Sequence, residues 1–299
     1  MKPTGFVLLD KVAGETSFKA LFPLKRAFCT KRVGHAGTLD LRASGLIIAA
    51  TGRCTRLLPF VEAKEKCYSF RLHLGYETDT LEWDGDVTTQ GEEIAIDRKM
   101  LENVLERFVG DIQQVPPKYC AVKVDGKRAS DLMERGRDVE LKPRKIHIRS
   151  LRIVGEGGIT EGTTGKCYAS FDMVCECSKG TYIRALGRDL AKALGTYGCV
   201  SLIRRHRIGS VTVDRAVRGA DLTPEHLLPV DQVLDFPVVR LTDEQMSAIR
   251  NGNWVPWNSV VENVDEEGNI FAANLEGNVL SLCTYEKGRI RPKVYLAED

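Results

Sequence analysis

Apolar and polar residues alternate most regularly over residues 68–74, where Tyr68, Phe70 and Leu72 are apolar and the residues between them are polar. A period of two predicts a strand with one buried and one exposed face. Shorter apolar runs predict further strands over residues 6–9, 46–50, 146–154, 167–177 and 208–213. A glycine- and threonine-rich hairpin over 155–165 is expected to join two of these strands.

Apolar residues at helical spacing predict helices between the strands. The predicted helices are one that carries Leu21, Leu24 and Phe28 inward, one over about 101–108 that stops at Gly110, one that opens after 180–182 and closes at Gly195, and a short one after the turn at 52–58. Either Thr16 or Ser17 caps the first helix, because a hydroxyl can accept a hydrogen bond from a backbone amide of the first turn.

Two stretches differ in composition from the rest of the chain. Residues 116–145 begin with two prolines, carry many lysines and arginines and have little periodic apolar content, which predicts a basic insertion or a long loop. After Pro237, short apolar runs alternate with glycine and asparagine turns, at 238–241, 254–255, 270–272, 279–284 and 294–296. This pattern predicts a small β-rich domain, consistent with a barrel. We therefore expect two domains, 1–236 and 237–299.

The charge is distributed unevenly, although the net charge of the 299 residues is only +2. Residues 1–35 hold seven lysines or arginines against two acids, and residues 181–218 hold eight against two. Residues 77–86 hold five acids and no base. Such asymmetry indicates a polyanion-binding surface with an acidic flank, the simpler alternative being solvated helix faces.

The nine cysteines do not predict a metal site, because Cys175 and Cys177 are the only close pair and no second pair or histidine completes a zinc set. Cys167 shares their parity, so all three are expected on one buried strand face as reduced thiols. No apolar stretch approaches the ~20 residues that span a bilayer. No secretory signal is visible either, and a cytoplasmic location is expected.

Several polar residues are candidates for chemistry. Asp40 ends a loop with two glycines, and by itself this acid is either a turn cap or a catalytic group. His35 precedes it, Tyr68 begins a strand and Arg184 lies at a helix start. Each has a structural alternative, namely a satisfied loop histidine, a core tyrosine and a solvated arginine. Together they form an acid, an arginine that can hold it ionised, and aromatic rings beside basic segments.

The sequence of residues 34–40, GHAGTLD, closely resembles the catalytic-aspartate motif of the bacterial tRNA pseudouridine synthase B (TruB) family. Other stretches resemble the remaining motifs of this family in the same order. They are 9–17 (N-terminal motif), 66–68 (Lys-x-Tyr element), 78–85 (acidic turn), 116–129 (the insertion that grips RNA) and 178–184 (late motif). Residues 251–253 and the closing strands resemble the PUA-like C-terminal domain of the family.

The resemblance implies an α/β fold, in which a central mixed, largely antiparallel sheet flanked by helices and loops carries the site. It also implies isomerisation of uridine 55 in the TΨC loop of tRNA to pseudouridine, with the target base flipped out of the stack. This reaction adds, removes and oxidises nothing, so it requires neither a cofactor nor a metal. The implied partner is the T-arm stem-loop of tRNA, bound by a monomer without a membrane or an obligatory protein partner.

The resemblance also implies a role for each matching residue. Asp40 is the nucleophile, as a carboxylate is in retaining glycosidases, and Arg184 pairs with it. Tyr68 stacks on the target base and is a candidate to assist removal of the C5 proton. The remaining expected substrate-binding residues are His35 beside the flipped base, Tyr182 and Ile203 in the base pocket, and Lys11, Lys123, Arg204 and Arg205.

A few positions depart from the family pattern without removing a catalytic group. They are Val12, Leu41, Arg42, Cys120 and Ser130, and they affect the expected loop geometry and RNA contacts. Two alternatives remain open at this point. One is a related synthase that acts on another RNA, and the other is a non-catalytic RNA-binding or tRNA-folding module.

Overall fold

The computed structural model describes residues 3–91, 96–162 and 166–297. In chain order the strands are β1 (Gly5–Lys11), β2 (Val33–Ala36), β3 (Ser44–Thr51), β4 (Lys66–Leu74), β5 (Tyr76–Thr78), β6 (Val87–Gln90), β7 (Gly110–Gln114), β8 (Lys123–Val124), β9 (Lys127–Arg128), β10 (Arg144–Glu161), β11 (Cys167–Cys177), β12 (Gly198–Ile208), β13 (Val211–Thr212), β14 (Val238–Arg240), β15 (Val255–Pro256), β16 (Asn269–Ala273), β17 (Val279–Glu286) and β18 (Arg289–Tyr295). The α-helices are α1 (Phe22–Ala27), α2 (Leu58–Ala63), α3 (Arg98–Leu105), α4 (Ala129–Met133), α5 (Ile183–Ala193) and α6 (Asp243–Arg250).

The described residues fall into two compact units. The first unit comprises 3–41, 45–63 and 209–297, and the second comprises 42–44 together with the described part of 64–208. The first unit thus combines the N-terminal strands with the C-terminal sheet. The domain boundary expected at 236/237 stays a prediction.

In the first unit, β1 pairs antiparallel with β3, and β2 pairs antiparallel with β3. The apolar residues of β1 and β3 are buried, which explains why these strands appear in the sequence as continuous apolar runs rather than as alternations. A 3-10 turn over Lys19–Leu21 leads into α1, and the Thr16 hydroxyl accepts a hydrogen bond from the Lys19 amide at 3.1 Å. The N-cap positions of this turn and of α1 are Phe18 and Leu21, which make no side-chain cap, so the expected hydroxyl cap is wrong and Thr16 bonds only the first amide of the turn.

The C-terminal part of the first unit is a five-stranded sheet in the order β14-β16-β17-β18-β15. It confirms the predicted β-rich character of this segment. Helix α6 was not predicted from the sequence, and its start is stabilised by a capping box of Thr242 and Gln245. The spacing T-x-x-Q before apolar residues was the available signal. Met246 and Ile249 of α6 pack into the buried core of this sheet.

In the second unit, strands follow the order β12-β4-β11-β10-β7, and each pair of neighbours is antiparallel. β4 has the predicted alternation, with Tyr68, Phe70 and Leu72 buried. Helix α5 lies over this sheet at Gly187, where an added Cβ would collide with the Val200 side chain. The predicted helix after 180–182 is confirmed.

Most of β12 was not predicted from the sequence, where residues 202–207 indicated only a basic stretch and the strand was expected over 208–213. The observed strand ends at Ile208, and β13 covers two residues only. The reason lies at Leu202, which has φ +53° where the register shifts between Ser201 and Arg204. This bulge breaks the period of two, so the local pattern does not identify a strand.

The basic insertion is not a plain loop. It contains the hairpin β8–β9, helix α4 and a small buried cluster of Cys120, Ala129, Val139 and Leu141. The predicted hairpin over 155–165 is partly strand, because β10 extends to Glu161 past a register shift, while residues 163–165 lie outside the described residues. Cys175 and Cys177 are buried free thiols as expected, and the side chain of Cys167 lies outside the description.

Candidate active site

In the first unit, the loop that ends at Asp40 leaves the sheet from β2. His35 is opposite Ala49 of β3 and is half-buried. Gly34 brings the backbone close to α2, because a Cβ there would lie 2.8 Å from a methyl carbon of Leu58. Gly37 then turns the chain with φ +69°, a conformation that favours glycine. We call residues 37–41 the Asp40 loop, in which Asp40 itself is half-buried.

The backbone of the Asp40 loop is held on both sides of the acid. The buried Ser17 hydroxyl donates to the Leu39 carbonyl at 3.0 Å and accepts from the Leu39 amide at 2.9 Å. On the other side, the Leu41 carbonyl accepts from the Gly14 amide at 2.8 Å. The Lys11 amine donates to the same carbonyl at 3.3 Å. Asp40 therefore projects from a backbone that is held at the residue before it and at the residue after it.

Lys11 lies inside this arrangement. Its side chain is 1% exposed, and its amine donates to the backbone carbonyls of Val12 and Leu41. Through these contacts, Lys11 supports the backbone of the Asp40 loop. Its predicted role in substrate binding stays a prediction.

In the second unit, the start of α5 is fixed by a buried glutamine. The Gln114 side chain accepts from the Tyr182 amide at 2.9 Å and donates to the Tyr182 carbonyl at 3.2 Å. Gln114 is 1% exposed. The half-buried Tyr182 packs against the cluster of the insertion that contains Cys120 and Ala129. One side chain thus sets the position of a predicted base-pocket residue.

Arg184 is buried, at 4% exposure, as the second residue of the same helix. Its guanidinium donates to the carbonyl of Thr80 and to the carbonyl of Tyr119, each at 2.8 Å. Thr80 belongs to the acidic turn over 78–86, and Tyr119 belongs to the insertion. The expected solvated helix arginine is therefore excluded, and Arg184 joins three segments of the second unit.

The acidic turn is closed by its own polar groups. The Asp79 carboxylate accepts from the amides of Thr80 and Asp86, at 2.7 and 3.1 Å. The Thr78 hydroxyl donates to the Glu82 carbonyl at 2.6 Å. Trp83 ties the turn to β12, since its amide donates to the Val200 carbonyl at 2.9 Å. The carboxylates of this turn are therefore held on a fixed backbone.

A cavity of about 190 Å³ opens between the acidic turn and the bulge of β12. Its lining residues are Arg42, Glu82, Trp83, Asp84, Val200, Ser201, Leu202 and Ile203. Arg42 and Asp84 form an ion pair of 2.9 Å at this cavity, and the strained Leu202 is 65% exposed. The volume is below the ~300–1,000 Å³ of a pocket for a drug-sized ligand. It therefore suits a single small group.

His73 supports the aromatic wall of this cavity. Its ring stacks on Trp83 with centroids 5.1 Å apart, and its Nε2 lies 2.7 Å from the Ser201 hydroxyl. Burial lowers the pKa of His73 to about 4, and the charge of Arg71 contributes in the same direction. The imidazole is therefore neutral at pH 7, which a stacked and buried ring requires.

Among the described residues, no three His, Cys, Asp or Glu side chains are arranged to hold a metal ion. In the same part of the chain, no helix is long and apolar enough to cross a membrane.

The family model described as "TruB family pseudouridylate synthase (N terminal domain)" matches residues 25–183. The chain belongs to this family. Two relatives named tRNA pseudouridine synthase B come from Caulobacter sp. (strain K31) and Caulobacter vibrioides (strain ATCC 19089 / CIP 103742 / CB 15). They are 38% and 35% identical to this chain over 83% and 97% of its length, and over 80% and 94% of their own. The resemblance stated from the motifs is confirmed, and the chain is a pseudouridine synthase, an isomerase.

Two solved structures of similar fold are "Structure of H/ACA RNP bound to a substrate RNA containing 2'-deoxyuridine" and "Crystal Structure of a Cbf5-Nop10-Gar1 Complex". The TM-scores are 0.71 and 0.70, with 18% and 22% identity. The matches cover 98% and 97% of this chain, and 85% and 83% of the other chains. At these identities the likeness shows the fold alone. It confirms the predicted mixed α/β class of a pseudouridine synthase.

The predicted RNA-binding cations of this TruB-family chain differ in exposure. Lys123 is exposed on β8, and Arg204 is half-buried. Arg205 is 1% exposed and lies opposite Tyr68 in the register of β12 and β4. Tyr68 is itself buried at 9% exposure, and Ile203 at 5%. A surface contact with phosphate suits Lys123, whereas the Arg205 guanidinium belongs to the interior of the unit.

Sequence reasoning missed the residues that hold the candidate groups in place. Ser17 was expected as a possible helix cap, and Gln114 was not singled out. Their partners are 22 and 68 residues away in the chain, so no local pattern could have identified either contact. Trp83 and Leu202 of the cavity were likewise not selected. The pairing of Arg184 with Asp40 stays a prediction.

Proposed function

We propose that this chain isomerises uridine 55 in the TΨC loop of tRNA to pseudouridine, with Asp40 as the nucleophile. The observation that carries the proposal is the Asp40 loop, in which Ser17 fixes Leu39 and Lys11 fixes Leu41 on either side of the acid. A carboxylate on such a backbone is preorganised for attack, because it loses little conformational freedom when the substrate binds. The name tRNA pseudouridine synthase B of the relatives supports tRNA as the substrate.

In the proposed reaction, the target uridine first leaves the base stack at a cost of a few kcal/mol. Aromatic stacking, worth ~1–3 kcal/mol per base, offsets much of this cost. Tyr68 stacks on the base, Tyr182 and Ile203 line its pocket, and His35 occupies the space beside it. Tyr68 and Ile203 are 9% and 5% exposed, so each presents only a small apolar surface to the base.

The chemistry then breaks the N1–C1′ bond, turns the uracil and joins it again through C5. Asp40 attacks or stabilises the electron-poor sugar or base carbon, as a carboxylate does in retaining glycosidases. Arg184 pairs with the carboxylate and keeps it ionised. Tyr68 assists removal of the proton from C5. Every atom of the substrate is retained except that proton, which exchanges with solvent.

RNA binding outside the pocket rests on the basic insertion and on β12. Lys123 and Arg204 hold phosphates, so the affinity falls as salt rises. The buried Lys11 contributes by supporting the backbone of the Asp40 loop. The bound element is the T-arm stem-loop, taken up by a monomer.

One alternative is a synthase of the same family fold that acts on another RNA. The folds of the H/ACA complex and of the Cbf5-Nop10-Gar1 complex are similar to this one, but at 18% and 22% identity the likeness does not indicate which RNA this chain modifies. A binding module without catalysis, the other alternative that the sequence left open, does not agree with the family assignment. The buried Arg184 and the fixed Asp40 loop favour an enzyme, because binding alone does not require a preorganised acid.

The test is a single-turnover assay with unmodified tRNA transcript labelled with tritium at C5 of uridine. We expect tritium release by the wild-type protein and near-complete loss with Asp40→Asn, while tRNA affinity is largely kept. Asp231→Asn is the control, because it neutralises another acid of the first unit, outside the family motifs.

A second transcript with cytidine at position 55 locates the target. No tritium release is expected from this RNA. Release at the same rate as from the unchanged transcript would mean that the enzyme acts on another uridine. Normal rates in Asp40→Asn would exclude this acid as the nucleophile. Absence of any release by the wild type would instead support a synthase that acts on another RNA.

A further inference from the structure

Two aromatic rings beside the Asp40 loop are exposed without a packing reason. Phe18 and Phe22 are 60% and 43% exposed. The same segment buries Leu21 and Leu24, at 3% and 0%, so the core of the first unit does not require the two rings. Exposed aromatic residues that lie together often mark an interaction site.

The two rings form one surface with a lysine. Phe18 and Phe22 meet edge-to-face, with centroids 5.5 Å apart. The Lys25 amine lies 4.7 Å from the centroid of Phe18 and 5.1 Å from that of Phe22. We call Phe18, Phe22 and Lys25 the aromatic patch. Its three members stabilise each other by cation–π and edge contacts, which keeps the rings ordered on the surface.

The position of the aromatic patch connects it to the proposed site. Phe18 directly follows Ser17, which binds both polar groups of the Leu39 peptide beside Asp40. Val12 and Leu41, each 49% exposed, lie next to the same backbone contacts. The exposed apolar residues of this part of the first unit therefore flank the loop that carries the acid.

The charge around the aromatic patch selects the partner. Residues 16–34 contain five lysines or arginines and no acid. Four of these cations are exposed, at Lys19, Arg26, Lys31 and Arg32. Aromatic rings among cations match a single-stranded nucleic acid, whose bases stack on the rings while its phosphates meet the charges. An apolar protein partner would not need five uncompensated positive charges.

We infer that the aromatic patch stacks on an unpaired nucleotide of the RNA substrate other than the reacting uridine, with Lys25 at its phosphate. This inference rests on the proposed function, because it takes the RNA at the Asp40 loop as given. It adds Phe18 and Phe22 to the residues that bind RNA, and so extends the RNA contact along the N-terminal segment.

The variant that tests the inference is Phe18→Ala with Phe22→Ala, which removes both rings and keeps every charge. Affinity for unmodified tRNA transcript is measured by fluorescence anisotropy in an Asp40→Asn background, so that the RNA is not converted during the titration. We expect Kd to rise at least about fivefold, from the loss of stacking on one base. Lys25→Gln should lower the slope of log Kd against log salt by about one.

The matched control is Val260→Ala with Leu275→Ala, which truncates two residues that are 83% and 61% exposed elsewhere in the first unit. Its Kd should equal that of the background protein. Thermal unfolding of all variants verifies that they are folded. Ultraviolet cross-linking followed by tryptic digestion should place RNA adducts on peptides 12–19 and 20–25, which carry one ring each.

An unchanged Kd in the Phe18→Ala, Phe22→Ala variant, with no adduct on either peptide, would overturn the inference. So would a dimer of the wild-type protein that this variant abolishes, because the patch would then be an interface between copies. Failure of the proposed function has a different signature, namely a wild-type protein that releases no tritium from tRNA.

Discussion

The Ser17 hydroxyl binds both polar groups of Leu39, donating to its carbonyl at 3.0 Å and accepting from its amide at 2.9 Å. Both residues are buried. Leu39 is the residue before Asp40, so one hydroxyl fixes the peptide from which the proposed nucleophile projects. The position of the acid therefore depends on the segment that leads into α1, since Ser17 lies 22 residues before Leu39 in the chain.

Ser17→Ala should therefore impair both stability and catalysis. It leaves a buried amide and a buried carbonyl without their partner, which costs roughly 1–3 kcal/mol of unfolding free energy. Displacement of Asp40 should lower the single-turnover rate on the order of tenfold to hundredfold. Urea unfolding and tritium release measure the two effects. Ser210→Ala, which removes an exposed hydroxyl bound to Asp235, should change neither. A wild-type rate in Ser17→Ala would disprove the positioning role.

Arg184→Lys should loosen the acidic turn and the insertion. The guanidinium donates to the carbonyls of Thr80 and Tyr119, and one ammonium cannot reproduce this planar fork. We expect a loss of roughly 1–3 kcal/mol of unfolding free energy. Hydrogen exchange should become faster in peptides that contain Thr80 and Tyr119. Lys192→Arg, at an exposed lysine of the same helix, is the control, and equal exchange in both variants would contradict the structural role of Arg184.

Stability should fall in mild acid because of His73. Burial, followed by the charge of Arg71, lowers the folded-state pKa to about 4, below the unfolded value of 6.5. As the pH falls, the unfolded chain therefore takes up the proton before the folded chain does. The contribution of the neutral His73 ring to the free energy of unfolding is complete above pH 6.5 and is lost as the pH falls towards 4. The loss reaches about 3 kcal/mol at pH 4.

Urea unfolding at a series of pH values measures this loss, and His73→Gln should flatten the curve between pH 6.5 and 4. Glutamine keeps a polar group for the Ser201 hydroxyl, which is 2.7 Å from the His73 ring nitrogen. Direct titration of the His73 ring by NMR is the second readout. A folded-state pKa near 6.5 would refute the prediction.

Lys123 and Arg205 should differ in what their removal changes. Lys123→Ala removes an exposed charge, so the slope of log Kd against log salt should fall by about one with stability almost unchanged. Arg205→Ala removes a side chain that is 1% exposed, so it should mainly lower the unfolding free energy. Lys99→Ala, an exposed lysine of α3, is the control for the salt slope. A lower slope in a fully stable Arg205→Ala protein would reverse the assignment.

The sequence alone was sufficient for features whose cause is local. The alternation at Tyr68, Phe70 and Leu72 predicted β4, because a strand exposes every second side chain to the same environment. The apolar spacing after residue 182 predicted α5 in the same way. The motif GHAGTLD and its ordered companions identified the family, which the family model confirms over residues 25–183.

The tertiary structure was needed for every feature whose partner is distant in the chain. Ser17 supports Leu39 across 22 residues, and Gln114 supports Tyr182 across 68. The burial of Lys11 and Arg205 was also not predictable. A lysine or arginine is expected at the surface unless residues distant in the chain provide partners for its charge in the interior. The strand β12 was concealed by the bulge at Leu202. Local periodicity thus determined the elements, and long-range contacts decided which polar side chains face substrate and which hold the backbone.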